Sequence, residues 1–160
     1  MNEDKNPQQL EKDLKLMIFI AHDFFHRWRE VIGKKYGQEE REALTTQFWK
    51  LVGKGTGEAY LKRGKERGDL AGIVNSIVRV SQVMGETARA VQDGDDYLLI
   101  HDACPWIESY QTNGFPGQCQ AGCDAWFKSA AATISTDITI QTESCLAGGD
   151  QSCIRRFKQK

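Results

Sequence analysis

The sequence lacks a long apolar run, a strong excess of either charge and a signal-peptide pattern. Its most apolar stretch, LMIFIA at residues 16–21, is bounded by Lys15 and His22 and is far too short to span a bilayer. The 21 basic and 22 acidic residues are mixed along the chain, so nucleic acid is not an expected partner. The opening MNEDKNPQQLEKD carries mixed charge, unlike a secretory signal. A cytoplasmic protein without a membrane partner is expected.

The sequence also has no C-x-x-C pair, and its five cysteines are an odd number. Neither a zinc-finger nor a ferredoxin spacing is matched. In a reducing compartment such cysteines are expected to be thiols or metal thiolates, and not disulfides. Zinc is the metal that we would expect such a site to bind, and an iron–sulfur cluster is the weaker alternative.

Three helices are predicted in the first half of the chain, where apolar residues recur at spacings of three and four. The first covers residues 8–33 and has an apolar and aromatic face formed by Leu10, Leu14, Met17, Ala21, Phe24, Trp28 and Val31. In the second, over about 38–62, Gly53 and Gly57 either admit a close neighbouring helix or kink the segment. The third follows Asp69, its predicted N-cap, and carries the stripe Leu70, Ile73, Val74, Ile77, Val78, Ser81 and Met84.

The second half of the chain changes to the pattern of strands. The turn DGD at 93–95 separates TARAVQ from DYLLIHDA and is a strong hairpin signal. A short helical turn from Pro105 and a helix from Pro116 follow, and then TDITIQTESC and CIRRFKQK flank the turn LAGGDQS. The predicted class is α+β: a three-helix region, then an antiparallel sheet of about four strands with a helix between its two hairpins. One domain is expected over 1–160, with a helical part at 1–86 and a sheet part at 87–160.

All five cysteines fall in the last third of the chain, near the ends of predicted elements. Cys119 and Cys123 are four apart on one helix face, and a seven-residue loop brings Cys145 close to Cys153. Cys104 ends the second strand. Three roles are open: a metal site of Cys119, Cys123, Cys145 and Cys153, a catalytic or redox thiol, and plain buried side chains.

Two groups of residues around histidine are candidates for catalysis. His101 and Asp102 lie close to Cys104, and a nearby imidazole is what a thiolate nucleophile requires. In HDFFH, at residues 22–26, two histidines are four apart with an aspartate between them, as in the zinc helix of metalloproteases. Because this aspartate is shorter than the usual glutamate, imidazoles bonded to polar partners on a partly buried helix are the simpler interpretation.

Residues 100–158 resemble the L-2-amino-thiazoline-4-carboxylic acid hydrolase family. The resemblance is carried by the C-terminal half, through Cys104-Pro105, Cys123-Asp124, Gly149-Asp150 and Cys153, while Tyr36-Gly37 and Trp49 agree less specifically. It implies attack on a cyclic amidine, which opens a thiazoline ring to a carbamoyl-cysteine. Such chemistry needs a metal-polarised water, or a thiolate with a general acid. The catalytic residues that it suggests are Cys104, His101, Asp102 and Asp124.

The closing hairpin also resembles that of vinyl-reductase-type small-molecule-binding domains. The zinc site implied by the phenol-sensing members would correspond here to Cys119 or Cys123, Glu143, Cys145 and Cys153. In that family the carboxylate would fall at Thr142. By simple alternation Glu143 projects from the same side of its strand as Cys145.

Two functions therefore stay open. The first is a hydrolase-like enzyme that acts on a small C–N compound such as a cyclic amidine. The second is a non-catalytic small-molecule-binding or sensor domain with structural zinc. In both, Trp106 and Trp126 are expected to line the ligand pocket. A homodimer is also left open.

Overall fold

The computed structural model describes residues 6–63 and 69–160, and its elements follow the predicted order. The first half contains α1 (Pro7–Tyr36), α2 (Gln38–Lys62) and α3 (Leu70–Val83). The second half contains β1 (Thr87–Asp93), β2 (Asp96–Ala103), α4 (Pro105–Thr112), α5 (Gly117–Ile134), β3 (Ile138–Ser144), a 3-10 turn (Leu146–Gly148) and β4 (Cys153–Gln159). The predicted α+β class, with helices first and a helix between the hairpins, is confirmed.

The sheet is antiparallel, with the strand order β1-β2-β4-β3. Gly94, in the first hairpin turn, has a φ of 63°, which glycine adopts without steric cost. The last strand of the chain lies in the centre of the sheet. Its inward side chains are Cys153, Arg155 and Phe157, all buried. A charged guanidinium is thus placed on the covered face of the sheet.

Helix α3 and the inner face of the sheet form the main core. Asp69 caps the helix as predicted, because its Oδ1 accepts a hydrogen bond from the amide of Gly72 at 2.8 Å. The predicted apolar stripe is buried, with Ile73 and Val74 at most 1% exposed. Full burial of each such side chain contributes about 1.5–3 kcal/mol.

The paired glycines of α2 admit a neighbouring helix, which is one of the two predicted alternatives. Helix α2 runs unbroken through Gly53 and Gly57, and α5 packs against it there. A Cβ at Gly57 would lie 2.7 Å from the Cβ of Thr133 and 2.8 Å from the carbonyl oxygen of Ala130. A Cβ at Gly53 would overlap the carbonyl oxygen of Trp126. The close approach holds α5, with its two cysteines, against the interior.

The apolar face predicted on α1 does not face the core. Met17 is 62% exposed, Phe24 71% and Val31 61%. The buried residues of this helix are His22, Phe25, His26 and Arg29, so a mostly polar face contacts the rest of the molecule. Within the described ranges, no helix combines the length and apolarity that crossing a membrane requires.

Candidate functional site

A cavity of about 220 Å³, called the main cavity below, lies between the helices and one end of the inner face of the sheet. All five cysteines line it, on α5, at the start of α4 and in the closing hairpin. Its walls are largely apolar, with several aromatic side chains among them, and include Trp106 and Trp126, the two predicted ligand-binding tryptophans. The volume corresponds to roughly seven water molecules at liquid density, which is room for a small organic compound.

His101 and Glu86 form an acid–base pair in the wall of the main cavity. The Nε2 atom of His101 lies 2.9 Å from Oε2 of Glu86 and 3.1 Å from Oγ of Ser81. An ionised carboxylate only accepts hydrogen bonds, so His101 contacts Glu86 through an Nε2–H donor. Within residues 6–63 and 69–160, Nδ1 of His101 is buried without a hydrogen-bond partner. This second ring nitrogen is therefore available to a bound molecule.

Arg155 supplies a buried positive charge to the same cavity. Its side chain is 2% exposed, and its Nε lies 3.6 Å from Oδ1 of Asp124. The same Oδ1 accepts a hydrogen bond from the hydroxyl of Thr142 at 2.6 Å. Asp124 therefore holds Arg155 and the sheet against α5. Since a guanidinium has five N–H donors, Arg155 retains donors for a bound anion.

The thiols of Cys119 and Cys123 share a hydrogen bond, and their environments favour the thiolate on Cys123. The hydrogen bond from Cys119 and the charge of Arg155 lower the pKa of Cys123, against the opposing effects of burial, Glu86 and Asp124. The same hydrogen bond, together with burial, raises the pKa of Cys119. Both side chains line the main cavity. Cys123 is thus the candidate nucleophile, and Cys119 donates a hydrogen bond to it.

Cys145 and Cys153 form a second pair in the closing hairpin, where their Sγ atoms are 3.9 Å apart. The loop between them is closed because Oδ2 of Asp150 accepts a hydrogen bond from the amide of Cys145 at 2.7 Å. Cys153 lies opposite His101 in the sheet register. Burial raises the pKa of Cys153 to about 11, so this thiol is protonated at neutral pH.

The predicted grouping of Cys104, His101 and Asp102 is separated by the alternation of strand β2. His101 faces the main cavity, whereas Asp102 is exposed on the other side and accepts a hydrogen bond from Nε of Arg89 at 3.1 Å. Glu86 is the carboxylate that contacts His101. Cys104 does line the cavity, but burial and the charge of Glu86 raise its pKa, which disfavours a reactive thiolate.

Glu143 does not share a side with Cys145, contrary to simple alternation. The register shifts between Thr142 and Ser144, so an extra residue enters strand β3 at Glu143. Its carboxylate accepts a hydrogen bond from Nε of Arg156 on the outer face of the sheet. Glu143 is therefore not placed to bind a metal with the cysteines.

Four of the five cysteines occur as two pairs and do not form one ready metal site. Within residues 6–63 and 69–160, no three Cys, His, Asp or Glu side chains are close enough to bind one ion. The positive charge of Arg155 also acts on Cys123, Cys145 and Cys153, and a metal cation there would be repelled by it. This arrangement of donors does not fit a zinc ion. The zinc site expected from the sequence stays a prediction that a metal analysis can test.

The HDFFH segment lies apart from this chemistry. His22 stacks on Trp106, with ring centroids 3.6 Å apart, and Nε2 of His26 lies 2.6 Å from Oγ of Ser109. Asp23 pairs with Arg27 at 3.3 Å on the surface. Burial is the main cause that lowers the pKa of each histidine to about 4. The two imidazoles point to different partners, which agrees with the simpler interpretation of the motif.

The sequence did not single out Glu86, Arg155 or Ser81, which complete the site. Ser81 was assigned to the apolar stripe of α3, and Glu86 follows that helix without a motif of its own. Arg155 had one readable signal, since the alternation of β4 places it between inward Cys153 and Phe157. A charge at such a position predicts a buried ion pair or a ligand site.

Solved structures with a similar fold include three small domains. The phenol-responsive sensory domain of the transcription activator PoxR, with phenol, is 11% identical (TM-score 0.63), over 86% of this chain and 74% of that one. A trafficking protein particle complex subunit 3 from Naegleria fowleri, covalently bound to palmitic acid, is 15% identical with a TM-score of 0.62, and the match covers 91% of this chain and 96% of that one. An H-NOX domain from Shewanella oneidensis in its Fe(II)CO ligation state is 10% identical with a TM-score of 0.55, and the match covers 85% of this chain and 74% of that one. At these identities the likeness concerns the fold.

The family relationship covers most of the chain. No curated protein matches the sequence. The family described as L-2-amino-thiazoline-4-carboxylic acid hydrolase matches residues 17–157, and so extends well beyond the C-terminal half in which the resemblance was first seen. That range includes α2, α3 and every side chain described above in the main cavity. The chain therefore belongs to the L-2-amino-thiazoline-4-carboxylic acid hydrolase family.

Proposed function

We propose that this protein hydrolyses a small cyclic amidine that carries a carboxylate, with the main cavity as its active site and Cys123 as the nucleophile. The observation that carries the proposal is the charge arrangement around Cys123. The pKa of this thiol responds to Arg155, which lowers it, and to Glu86, which raises it. One cavity thus offers a thiolate within range of both a cationic and an anionic group.

These two charges match the two ends of such a substrate. The guanidinium of Arg155 suits the carboxylate, since arginine binds a carboxylate through two parallel hydrogen bonds. The carboxylate of Glu86 suits the amidinium at the other end. The aromatic walls, including Trp106 and Trp126, cover the ring. The amidine carbon would then lie in the cavity that Cys123 also lines.

The chemistry needs only water in addition to these residues. The thiolate of Cys123 adds to the amidine carbon, the bond from that carbon to the ring sulfur breaks, and the sulfur leaves as a thiol. His101 takes a proton from the amidinium at Nδ1 and passes it to this sulfur. Water then adds to the same carbon, and one of its protons goes to the imine nitrogen. The second proton leaves through Nδ1 of His101 to solvent as the C=O bond forms and the bond to Cys123 breaks, which releases a carbamoyl-cysteine and restores the thiolate.

Turnover of 2-amino-thiazoline-4-carboxylate, followed by chromatography of the quenched reaction, tests the proposal. Cys123→Ser should lower kcat by about a thousandfold or more, because the nucleophile is lost. Arg155→Met should raise KM at least about tenfold, since a charge-assisted hydrogen bond is worth about 1.5–3 kcal/mol. Asp102→Asn, on the outer face, is the matched control and should keep wild-type activity. Equal activity in wild type and Cys123→Ser, or loss with Cys104→Ser alone, would contradict the proposal.

A non-catalytic binding domain is the second candidate, and the largely apolar lining of the main cavity, with its several aromatic side chains, favours it. The similar fold of the PoxR domain holds phenol, so an uncharged aromatic compound is the ligand to compare. Isothermal titration with phenol and with 2-amino-thiazoline-4-carboxylate separates the two candidates. Tight phenol binding without turnover of the amidine would favour the sensor.

Zinc content bears on the same choice. With two separate thiol pairs beside a guanidinium, we expect protein purified without added metal to contain much less than one zinc per chain. Elemental analysis with a thiol count in the native and denatured states measures this. One zinc per chain with four protected thiols would support the structural-zinc alternative.

A further inference from the structure

A second depression, of about 380 Å³, lies between α1, the first turns of α2 and the loop that joins α4 to α5. Three cationic side chains line it, those of Arg29, Lys34 and Arg41, and one of the described lining residues, Glu30, carries a carboxylate. We propose that this cationic pocket binds the phosphate group of a small anionic ligand. Nothing in the proposed hydrolysis uses these residues.

Arg29 is a buried guanidinium whose partners are all neutral. Its side chain is 1% exposed. Nε donates to the hydroxyl of Thr45 at 3.2 Å, Nη1 to Nδ1 of His26 at 3.1 Å, and Nη2 to the amide oxygen of Gln118. Burial lowers the pKa of Arg29 from its ordinary value. The fold thus holds a rigid cation at the pocket wall without pairing it to a carboxylate.

Arg41 brings a second guanidinium to the same pocket. Its Cζ lies 3.8 Å from the ring centroid of Phe115, and Cζ of Arg29 lies 5.0 Å from the same ring. Among the residues that the structure describes, Nε of Arg41 is buried without a hydrogen-bond partner. A Cβ at Gly33 would lie 3.0 Å from Cδ of Arg41, so this glycine gives the arginine the space it occupies. Both arginines are therefore positioned, and one buried donor is unused.

The charges around the pocket do not cancel. Lys34 is paired with Glu30 at 2.6 Å, so these two neutralise each other. The carboxylate of Glu42 attracts Arg29 from a distance, while its Oε1 accepts a hydrogen bond from Gln38. In the described part of the chain no carboxylate forms an ion pair with Arg29 or Arg41. Two positive charges are left for a ligand.

A phosphate group is the ligand chemistry that fits these two guanidinium groups. A buried charge is costly unless it is paired and hydrogen-bonded, so an anion would offset a cost that the fold already carries. Planar guanidinium groups bind phosphate oxygens through paired hydrogen bonds. A phosphate with two negative charges also balances the two arginines, whereas a single carboxylate balances one.

The cationic pocket is separate from the main cavity, and Tyr110 lies between them. Cζ of Arg29 is 4.9 Å from the ring centroid of Tyr110. The hydroxyl of Tyr110 accepts a hydrogen bond from Nε1 of Trp49 at 3.2 Å, and both of these side chains line the main cavity. The proposal does not rest on hydrolysis, since the two sites share no charged side chain.

Isothermal titration of the full chain tests the pocket, with inorganic phosphate and glycerol 1-phosphate as the two probes. Free phosphate and a phosphate ester are thereby distinguished, and acetate and glycerol serve as the matched controls. We expect phosphate or its ester to bind and glycerol not to bind. Arg41→Gln should weaken binding about tenfold or more, as the loss of a charge-assisted hydrogen bond implies. Lys35→Gln makes the same charge change on an exposed residue of α1 and should leave the Kd unchanged.

Three outcomes would overturn the proposal. They are no saturable heat from either phosphate probe up to about 10 mM, a limit that excludes a Kd in the millimolar range or tighter, equal weakening by Arg41→Gln and Lys35→Gln, and equal affinity for acetate and phosphate. Cys123→Ser should bind phosphate as the wild type does. Failure of the hydrolase proposal is thereby distinguished from failure of this one.

Discussion

Each of the five thiols has a distinct environment, although all of them line one cavity. Cys104, Cys119 and Cys153 have a raised pKa, to which burial contributes in each. The pKa of Cys123 is lowered, because it accepts a hydrogen bond from Cys119 and is attracted by Arg155. Reactivity follows the thiolate and not the thiol. The proposal of Cys123 as the nucleophile therefore rests on its neighbours, which the spacing of the cysteines did not reveal.

Alkylation rates should reflect this difference. At pH 7.5, iodoacetamide is expected to modify Cys123 before the other four cysteines, as read by mass mapping of peptides. Arg155→Met should slow the modification about tenfold, because loss of the positive charge raises the pKa of Cys123 and leaves less thiolate. The neighbouring change Arg156→Met removes a charge from the outer face and should have no effect. First modification at Cys104 would contradict the assignment.

The two histidines of α1 should make the protein sensitive to acid. Burial lowers the pKa of His22 and His26 from 6.5 to about 4, so both are neutral in the folded state. Between these values the unfolded chain binds protons that the folded chain does not, and the free energy of unfolding falls as the pH drops. Above about pH 6.5 this contribution is fully present.

Urea unfolding measured from pH 7.5 to pH 4 checks the expectation. The midpoint should fall as the pH drops below 6.5, and less steeply in His22→Gln, which removes one of the two groups. Lys15→Gln, on an exposed part of the same helix, should follow the wild type. A midpoint that is constant over this interval would show that the histidines are not buried neutral.

The packing of α2 on α5 depends on the absence of two side chains. Gly53 and Gly57 face α5, whereas Gly55, between them, has no atom within 4 Å of an added Cβ. The helices can approach closely only where no Cβ intervenes. This contact helps to set the position of α5, which carries Cys119 and Cys123, relative to the rest of the molecule.

Alanine at position 57 and alanine at position 55 should have opposite effects on stability. Gly57→Ala is expected to destabilise by about 1–3 kcal/mol, because the added methyl overlaps Thr133 and the backbone of α5. Gly55→Ala should stabilise by up to about 1 kcal/mol, because alanine loses less backbone entropy in a helix. Thermal unfolding measures both. Equal effects in the two variants would rule out the close contact.

Element order and the two hairpins could be predicted from the sequence, because they depend on local signals, whereas the pairing of β2 with β4 brings together strands that lie far apart in the chain. Asp69 as a cap, the Asp-Gly turn and the stripe of α3 each act within a few residues. The orientation of α1 could not be predicted in this way, because it is decided by Arg29 and the histidines, whose polar partners lie far along the chain. The bulge at Glu143 likewise depends on pairing with β4. For the site, the sequence placed the cysteines near element ends, but not the charges that distinguish them.

The exposed apolar face of α1 gives the predicted homodimer a surface. Its members Leu10, Leu14, Met17, Phe24 and Val31 are each at least 46% exposed. An exposed stripe of this kind typically marks a contact with another protein. A second copy of the chain would cover it with the same residues, as in a symmetric dimer. The dimer stays a prediction.

Sedimentation equilibrium tests this surface. The wild type is expected to sediment as a dimer at micromolar concentration, and Phe24→Asp as a monomer, because a buried carboxylate without a partner is costly. Val91→Asp, at an exposed position of β1, should leave the dimer intact. A monomeric wild type would contradict the prediction.

The fold of the whole molecule is also found in small-molecule-binding domains, whereas its family is named for a hydrolase. The proposed hydrolysis connects the two, because it assigns the roles of nucleophile, proton carrier and anion partner to Cys123, His101 and Arg155 in a largely apolar cavity. Catalysis by this arrangement requires a covalent bond between Cys123 and the substrate. A binding domain with the same cavity would form no such bond.

Mass spectrometry of the intact protein, quenched with acid during turnover of 2-amino-thiazoline-4-carboxylate, tests this most directly. Because the ring opens without losing a fragment, the covalent species should weigh the protein plus the whole substrate. Peptide mapping should place the added mass on Cys123, and Cys123→Ser should remain unmodified. Turnover without any added mass, or added mass on Cys104, would show that Cys123 is not the nucleophile.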